Sequence, residues 1–273
     1  MTRYLVVPQW QGSPSSRAMQ LIDGAQAIAG DLPRSATTTL EVPMEAGEAL
    51  DTGIHRLSAL QRIRDLIEFT LATHVEPVLT VGGDCGIALA PIAHAARRHP
   101  ELAVVWIDAH PDLNTPDSSP SGAFSGMVLR AVLGEGEPLL RIPAGTIAPG
   151  RVIVAAARSF DDAELDAVDS LGITTVSVDD LRDPDALAAG VRATGATGVY
   201  IHVDVDALDP AELAGNAHPE PFGVTVGELT AAITRLRAEV PLVGSSLAGY
   251  SPASLSAAPD DLGAILRIVG ALA

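Results

Sequence analysis

The sequence predicts an α/β fold, a mostly parallel sheet with helices packed on both sides. Three observations carry this. Short β-type runs alternate with helical patterns from one end of the chain to the other. Several runs are continuously apolar, as parallel strands covered on both faces tend to be. No stretch rich in Pro, Gly or Ser interrupts the alternation, so one domain over 1–273 is expected.

In chain order, strands are expected at 4–7, 38–42, 77–81, 103–107, 151–155, 174–178, 199–205 and 241–245. The segment 55–74 reads as a helix, with Leu57, Leu60, Ile63, Leu66, Ile67 and Leu71 on one face at i, i+3, i+4 spacing. A second helix opens at Thr225, where Glu228 three residues on completes a capping-box pattern. A third covers 260–272. Two long irregular loops, 113–122 and 209–223, are the kind that line sites in such folds.

Composition narrows the function. Apolar residues make up 47% of the chain, as in ordered globular proteins. No run reaches the ~18–20 apolar residues of a membrane span. The opening MTRYLVVPQWQG reads as a first strand rather than a signal peptide, and the expected location is cytoplasmic. The net charge of −17, with arginine as the one strongly basic residue type, disfavours nucleic acid and anionic membranes as partners. The single cysteine, Cys85, excludes an internal disulfide framework.

Two strand ends carry unusual chemistry. In VVWIDAHPDLNTP, Asp108, His110 and Asp112 alternate just after an apolar strand, and continued extended geometry would point all three to one side. In IHVDVDALDP, Asp204 and Asp206 end another apolar strand, with Asp209 before Pro210 reading as a turn residue. Buried aspartates are expensive unless paired or ligating. Oxygen donors with one imidazole suit Mn(II), Mg(II), Fe(II) or Zn(II), and bridging carboxylates allow two ions that acidify a shared water. Carboxyl ends of parallel strands are also where open α/β sheets place their sites.

With these motifs in view, the sequence resembles the ureohydrolase family of arginases, agmatinases and formiminoglutamases. The likeness runs through the GGD turn before Cys85, DAHPDLNTP, HVDVDALDP and PEPFGVT, and covers most of the chain. It implies a three-layer α/β/α fold, a dinuclear Mn2+ site, a small-molecule substrate, a trimer or hexamer, and hydrolysis of a guanidino-type C–N bond by a metal-bridging hydroxide. Carried over by position, Asp108 and Asp204 would bridge the metals. His110 and Asp206 would complete one ion, Asp112 and Cys85 the other. Asp206 would also take the proton of the shared water. Asn114, Ser121 and Asp161 would hold the substrate's amino-acid end.

Three positions depart from that pattern. Cys85 stands where the family has histidine, and its soft thiolate suits Zn, Fe or Co better than Mn. Ser125 stands where a histidine transfers the leaving-group proton. A serine cannot buffer that proton near neutral pH, though it can hydrogen-bond substrate or relay a proton through water, and His218 in the second long loop is a candidate replacement. Gly249 stands where a glutamate pairs with the guanidinium, leaving Glu212 and Glu220 as candidate substitutes. His202, on the Asp204 face, is a candidate partner of a ligating carboxylate. The expected function is hydrolysis of arginine or a modified arginine to urea or a substituted urea. The alternatives are a divergent homologue acting on a formimino or amide substrate, and a catalytically impaired binding protein.

Overall fold

The strands of the computed structural model, which describes residues 2–273, are β1 (Arg3–Val6), β2 (Thr37–Thr39), β3 (Val78–Val81), β4 (Leu102–Ile107), β5 (Val152–Ala155), β6 (Thr174–Val176), β7 (Gly198–Asp204) and β8 (Leu242–Ala248). All eight join one sheet in the order β2-β1-β3-β8-β7-β4-β5-β6, and every pairing is parallel. Each expected run forms a strand. β2 stops at Thr39, short of the expected 42, because the chain is heading into Pro43, which cannot donate to a ladder. β8 runs on past 245 to Ala248, because its Gly and Ser residues are buried between β3 and β7 rather than turning.

The helices are α1 (Gln20–Asp31), α2 (Leu57–Leu71), α3 (Leu89–Arg98), α4 (Val128–Val132), α5 (Asp162–Leu171), α6 (Asp185–Ala193), α7 (Val226–Arg237) and α8 (Pro259–Leu272). Alternation along the strands divides the interior in two. On β4, Val104 and Trp106 join one core with Leu57, Leu60, Ile63, Ile67 and Leu71 of α2 and with α3 and α4. Ala103, Val105 and Ile107 join the other with α1, α6, α7 and α8. The result is the three-layer α/β/α arrangement. Each buried Leu or Ile in these layers contributes roughly 1.5–3 kcal/mol relative to exposure, so both faces of the sheet are held strongly. The capping box at α7 is present. Thr225 Oγ1 accepts from the Glu228 N–H (3.1 Å), and Glu228 Oε2 accepts from the Thr225 N–H (2.8 Å).

No helix among the described residues is long and apolar enough to cross a membrane. The sheet order sets the middle strands β3, β8, β7 and β4 side by side, with β5 next. Their carboxyl ends meet over the centre of the sheet.

Candidate metal centre

Each acidic side chain here is positioned by the turn that ends its strand. After β3, two glycines in the left-handed region (φ 90° and 84°) fold the chain back, Gly82 against Ala25 and Gly83 against Val7 and Gln9, too close for any Cβ. Asp84 then anchors the turn by accepting from Gln9 Nε2 (2.8 Å), the Gly12 N–H (2.9 Å) and the Gly86 N–H (2.9 Å), which sets Cys85 at the sheet centre. After β4 the extended geometry does not continue. The His110 N–H turns back onto Asp108 Oδ1 (2.7 Å), and Asp112 is left-handed (φ 54°). Asp108, His110 and Asp112 still line one pocket, through a bend rather than through strand alternation. At the end of β7, Asp204 Oδ1 accepts from the Asp206 N–H (2.9 Å), which places both aspartates in the same pocket.

The donor groups are close enough to share cations. Asp108, His110 and Asp206 offer ligating atoms that all lie within 4.8 Å of one another, and so do Cys85, Asp108 and His202. His110 Nδ1 sits 3.0 Å from Asp206 Oδ2 and 3.4 Å from Asp108 Oδ1. Burial opposes its charge, but those two carboxylates push it up to about 12. Cys85 Sγ donates to Asp204 Oδ2 (2.9 Å) and lies 3.7 Å from Asp108 Oδ2. Burial, then the Asp204, Asp112 and Asp108 charges, hold it far up as a neutral thiol.

The aspartates show the same strain. Burial and the neighbouring Asp206 raise Asp204 to about 7, and burial and Asp108 raise Asp206 to about 6. Asp112 is raised further by burial and Asp108, and its Oδ2 is buried without a hydrogen-bond partner. Carboxylates driven toward protonation by burial and mutual repulsion, one with an orphaned oxygen, form a site that divalent cations would relieve. The residues present therefore fit a metal centre.

The positions expected to face substrate also come together. Asn114, Ser121, Ser125, Asp161 and His218 all line the same pocket as the aspartates. Asn114 Nδ2 donates to Asp161 Oδ2 (2.8 Å), while its Oδ1 accepts from Ser118 Oγ (2.8 Å). Ser121 Oγ accepts from the Ala123 N–H (3.2 Å). Ser125 sits in a one-turn 3-10 segment pinned by its N–H to the Gly12 carbonyl (3.0 Å). His218 presents a buried Nε2 with no partner, and burial holds the ring neutral.

Two candidate substitutes for the missing glutamate separate here. Glu212 is committed elsewhere, its Oε2 accepting from the Val226 N–H (2.9 Å) at the start of α7. Glu220 faces the site, with Oε1 3.8 Å from His110 Nε2. Gly249 itself has no room for a side chain. Its φ is 85°, and a Cβ would lie 2.1 Å from Asp204 Oδ1. Asp209 is the turn residue its position suggested, bracing the Ala211 and Phe222 amides.

Three supporting residues were not singled out from the sequence. Asp84 anchors the Cys85 turn, as described. Glu164, buried in the first turn of α5, accepts from the Leu113 N–H (3.0 Å) and the Asp161 N–H (3.0 Å), tying the β4 and β5 ends together. Its signal was a glutamate three residues after Asp161. Arg158 donates to the carbonyls of Asp206 (2.8 Å), Glu220 (2.7 Å) and Pro221 (2.9 Å), fastening the second long loop over the site. Nothing in the local sequence marks those carbonyl partners.

Fold and cluster together define a class, the metal-binding α/β/α proteins with a site at the carboxyl ends of a parallel sheet. Comparison with known proteins carries this to a family. The arginase family profile matches residues 16–265, and this chain belongs to the arginase family. An arginase from Bacillus caldovelox is 32% identical over 223 residues, covering 76% of this chain and 74% of that one. Its native structure superposes with a TM-score of 0.87 at 25% identity, covering 99% of this chain and 97% of that chain. The Entamoeba histolytica arginase in complex with L-ornithine gives 0.85 at 22% identity (98% of each chain), and the proclavaminate amidino hydrolase of Streptomyces clavuligerus 0.73 at 22% (99% and 91%). Family members are hydrolases acting on C–N bonds in linear amidines, and the family uses a dinuclear metal site, usually Mn2+.

Proposed function

We propose that this chain hydrolyses the guanidino C–N bond of arginine or a modified arginine, releasing urea or a substituted urea. The observation that carries this reading is the joining of two features in one pocket. The Asp108–His110–Asp206 cluster lies at its floor, and the Asn114–Asp161 pair lines the same space. The Asp161 carboxylate suits an α-ammonium group, and the Asn114 amide and Ser121 hydroxyl suit a carboxylate. Relatives whose names or titles refer to arginase, L-ornithine and proclavaminate amidino hydrolase support an amino-acid-derived guanidine.

Asp108, Asp204, His110 and Asp206, with Asp112 and Cys85, are the residues that would hold two metal ions, Mn2+ on the His110 side and Mn2+ or another metal on the Cys85 side. When bound, such ions neutralise the carboxylate charge and acidify a shared water. The chain's own groups do the rest. Asp206 accepts the proton of the attacking water at Oδ2, the oxygen that faces His110 Nδ1 at 3.0 Å. Water adds to the amidine carbon, the C–N bond to the amine breaks, and the amine must gain a proton. The neutral, unpartnered His218 imidazole is the group able to exchange that proton, with Ser125 as a hydrogen-bonding residue beside the pocket. A single domain over 1–273, a cytoplasmic location and a trimeric or hexameric assembly complete the reading.

A second reading has its own observation. Gly249 offers no carboxylate for a plain guanidinium, and Asp204 fills the space where one would start. That favours a non-guanidinium group, such as a formimino group or an amide. Assay of arginine, N-hydroxyarginine, agmatine and formiminoglutamate with added Mn(II) separates these readings. Urea or hydroxyurea release supports the first. Turnover of formiminoglutamate alone supports the second, and no turnover of any substrate contradicts both.

A further inference from the structure

The imidazole of His202 has no role in the proposed hydrolysis, yet it is fully buried beside the cluster. It lies on β7 and stacks on Trp106 of β4, with ring centroids 3.8 Å apart and planes 25° apart. Sheet register sets Trp106, His202 and Ser246 side by side on three adjacent strands. On one side, Nδ1 is 2.8 Å from Ser246 Oγ. Nε2 is buried with no hydrogen-bond partner. A buried ring nitrogen left unsatisfied in a well-packed wall asks for an explanation. Moreover, a ring nitrogen of His202, Cys85 Sγ and a carboxylate oxygen of Asp108 lie within 4.8 Å of one another. With Nδ1–H donating to Ser246, the lone pair falls on Nε2, the tautomer a ligating histidine needs.

We propose that His202 Nε2 is a direct ligand of the metal on the Cys85 side. That ion would be held by Cys85, His202 Nε2 and Asp112, and the other by His110 and Asp206, with Asp108 and Asp204 available to both. The proposal rests on the reading of this pocket as a dinuclear centre and deepens it. Ser246 and Trp106 position the ring, and the Cys85 thiol gives up its proton to solvent as the ion enters. A thiolate and an imidazole among the donors favour Zn(II), Co(II) or Fe(II), whereas the oxygen-rich His110 half suits Mn(II). The Cys85 half is therefore the one open to a softer metal.

The test uses the wild-type chain, crystallised with Zn(II) and located by anomalous scattering. The expected result is an ion at about 2.0–2.1 Å from His202 Nε2 and about 2.3 Å from Cys85 Sγ. An ion on Cys85 with Nε2 beyond hydrogen-bond reach overturns the proposal, as does no ion on that side. In solution, Co(II) binding followed by the sulfur-to-cobalt charge-transfer band reports the Cys85 half alone. His202→Gln keeps a polar group next to Ser246. It should weaken that binding by more than the ~10–100-fold typical of residues that only orient a ligand, while Mn(II) binding at the His110 half persists. Unchanged Co(II) binding overturns the proposal. If the variant does not fold, the wild-type crystal still decides. These readouts need no turnover, so a chain that binds zinc through His202 but releases no urea refutes the proposed function alone. Turnover with His202 unligated refutes this inference alone.

Discussion

The two halves of the cluster share Asp108 but are built differently. The His110 half is the open one. The His110 side chain is 31% exposed, its Nε2 faces Glu220, and its Nδ1 faces two carboxylates. The Cys85 half is the deeper one. Cys85 is 5% exposed and His202 not at all, with Trp106 stacked behind the ring. In the open half, position and donor type both follow the DAHPD and DVDALDP motifs. In the deeper half, a thiol after β3 takes the place the family resemblance gives to histidine, and an imidazole approaches from β7, two strands away. The difference teaches that carboxylates on strand-end turns set the frame of such a centre, whereas the remaining donors can be exchanged wherever adjacent strands bring side chains to the same point.

The largest effect expected is from breaking the shared residue. Asp108→Asn should remove metal from both halves and lower kcat/KM by roughly 10³-fold or more, equal to about 4 kcal/mol at 1.36 kcal/mol per tenfold. Retention of one full metal equivalent by this variant, measured by elemental analysis, would show that the halves do not share Asp108. Next comes Gly249→Ala. A Cβ there meets Asp204 at 2.1 Å in a left-handed backbone, so about 2–4 kcal/mol of stability should be lost from strain and overpacking. A denaturant midpoint equal to wild type would contradict the tight approach.

Acid dependence gives a smaller, diagnostic effect in chelator-treated protein. Asp204 (about 7), Asp206 (about 6) and Asp84 (about 6, raised chiefly by burial) all lie above the ordinary 3.8. These carboxyls hold more protons in the folded chain than in the unfolded one between about pH 4 and 7, outweighing His202, which burial lowers to about 3 and which acts the other way. Its stability is greatest at the acid end and falls as pH rises through 6 and 7. His110, raised to about 12, acts in the same direction, its contribution being fully present below 6.5 and lost progressively between 6.5 and about 12. A melting temperature that rises from pH 5 to pH 8 without metal would contradict this account, and metal loading should flatten the slope. The smallest effect is at Ser125. If His218 exchanges the proton, Ser125→Ala should change kcat less than about threefold, under 1 kcal/mol, and a much larger loss would move that role to the serine.

The sequence made the frame legible. All eight strands were visible as β-type runs, and β3, β4, β5 and β7 as largely apolar ones, because strands buried on both faces need no polar alternation. The carboxylate positions were legible for the opposite reason, since aspartate at the end of such a run is costly without a partner. What stayed hidden depended on contacts between segments far apart in the chain. Ser246 lies 44 residues from His202, so the orphaned Nε2 emerges only once β7 and β8 are neighbours. Glu212 and Glu220 looked equivalent within one loop. Only the fold shows one capping α7 and the other facing His110. The grip of Arg158 on three loop carbonyls was hidden too, because carbonyls carry no residue identity.

The central claim is that these carboxylates hold metals that hydrolyse an amidine C–N bond. The most direct measurement pairs metal content per chain with urea or hydroxyurea release from arginine and N-hydroxyarginine, before and after chelation and after Mn(II) is restored. The account predicts two metal equivalents in the active protein, loss of turnover with chelation and its return with Mn(II). Turnover that survives complete metal removal would contradict it, as would a fully loaded protein that cleaves neither substrate.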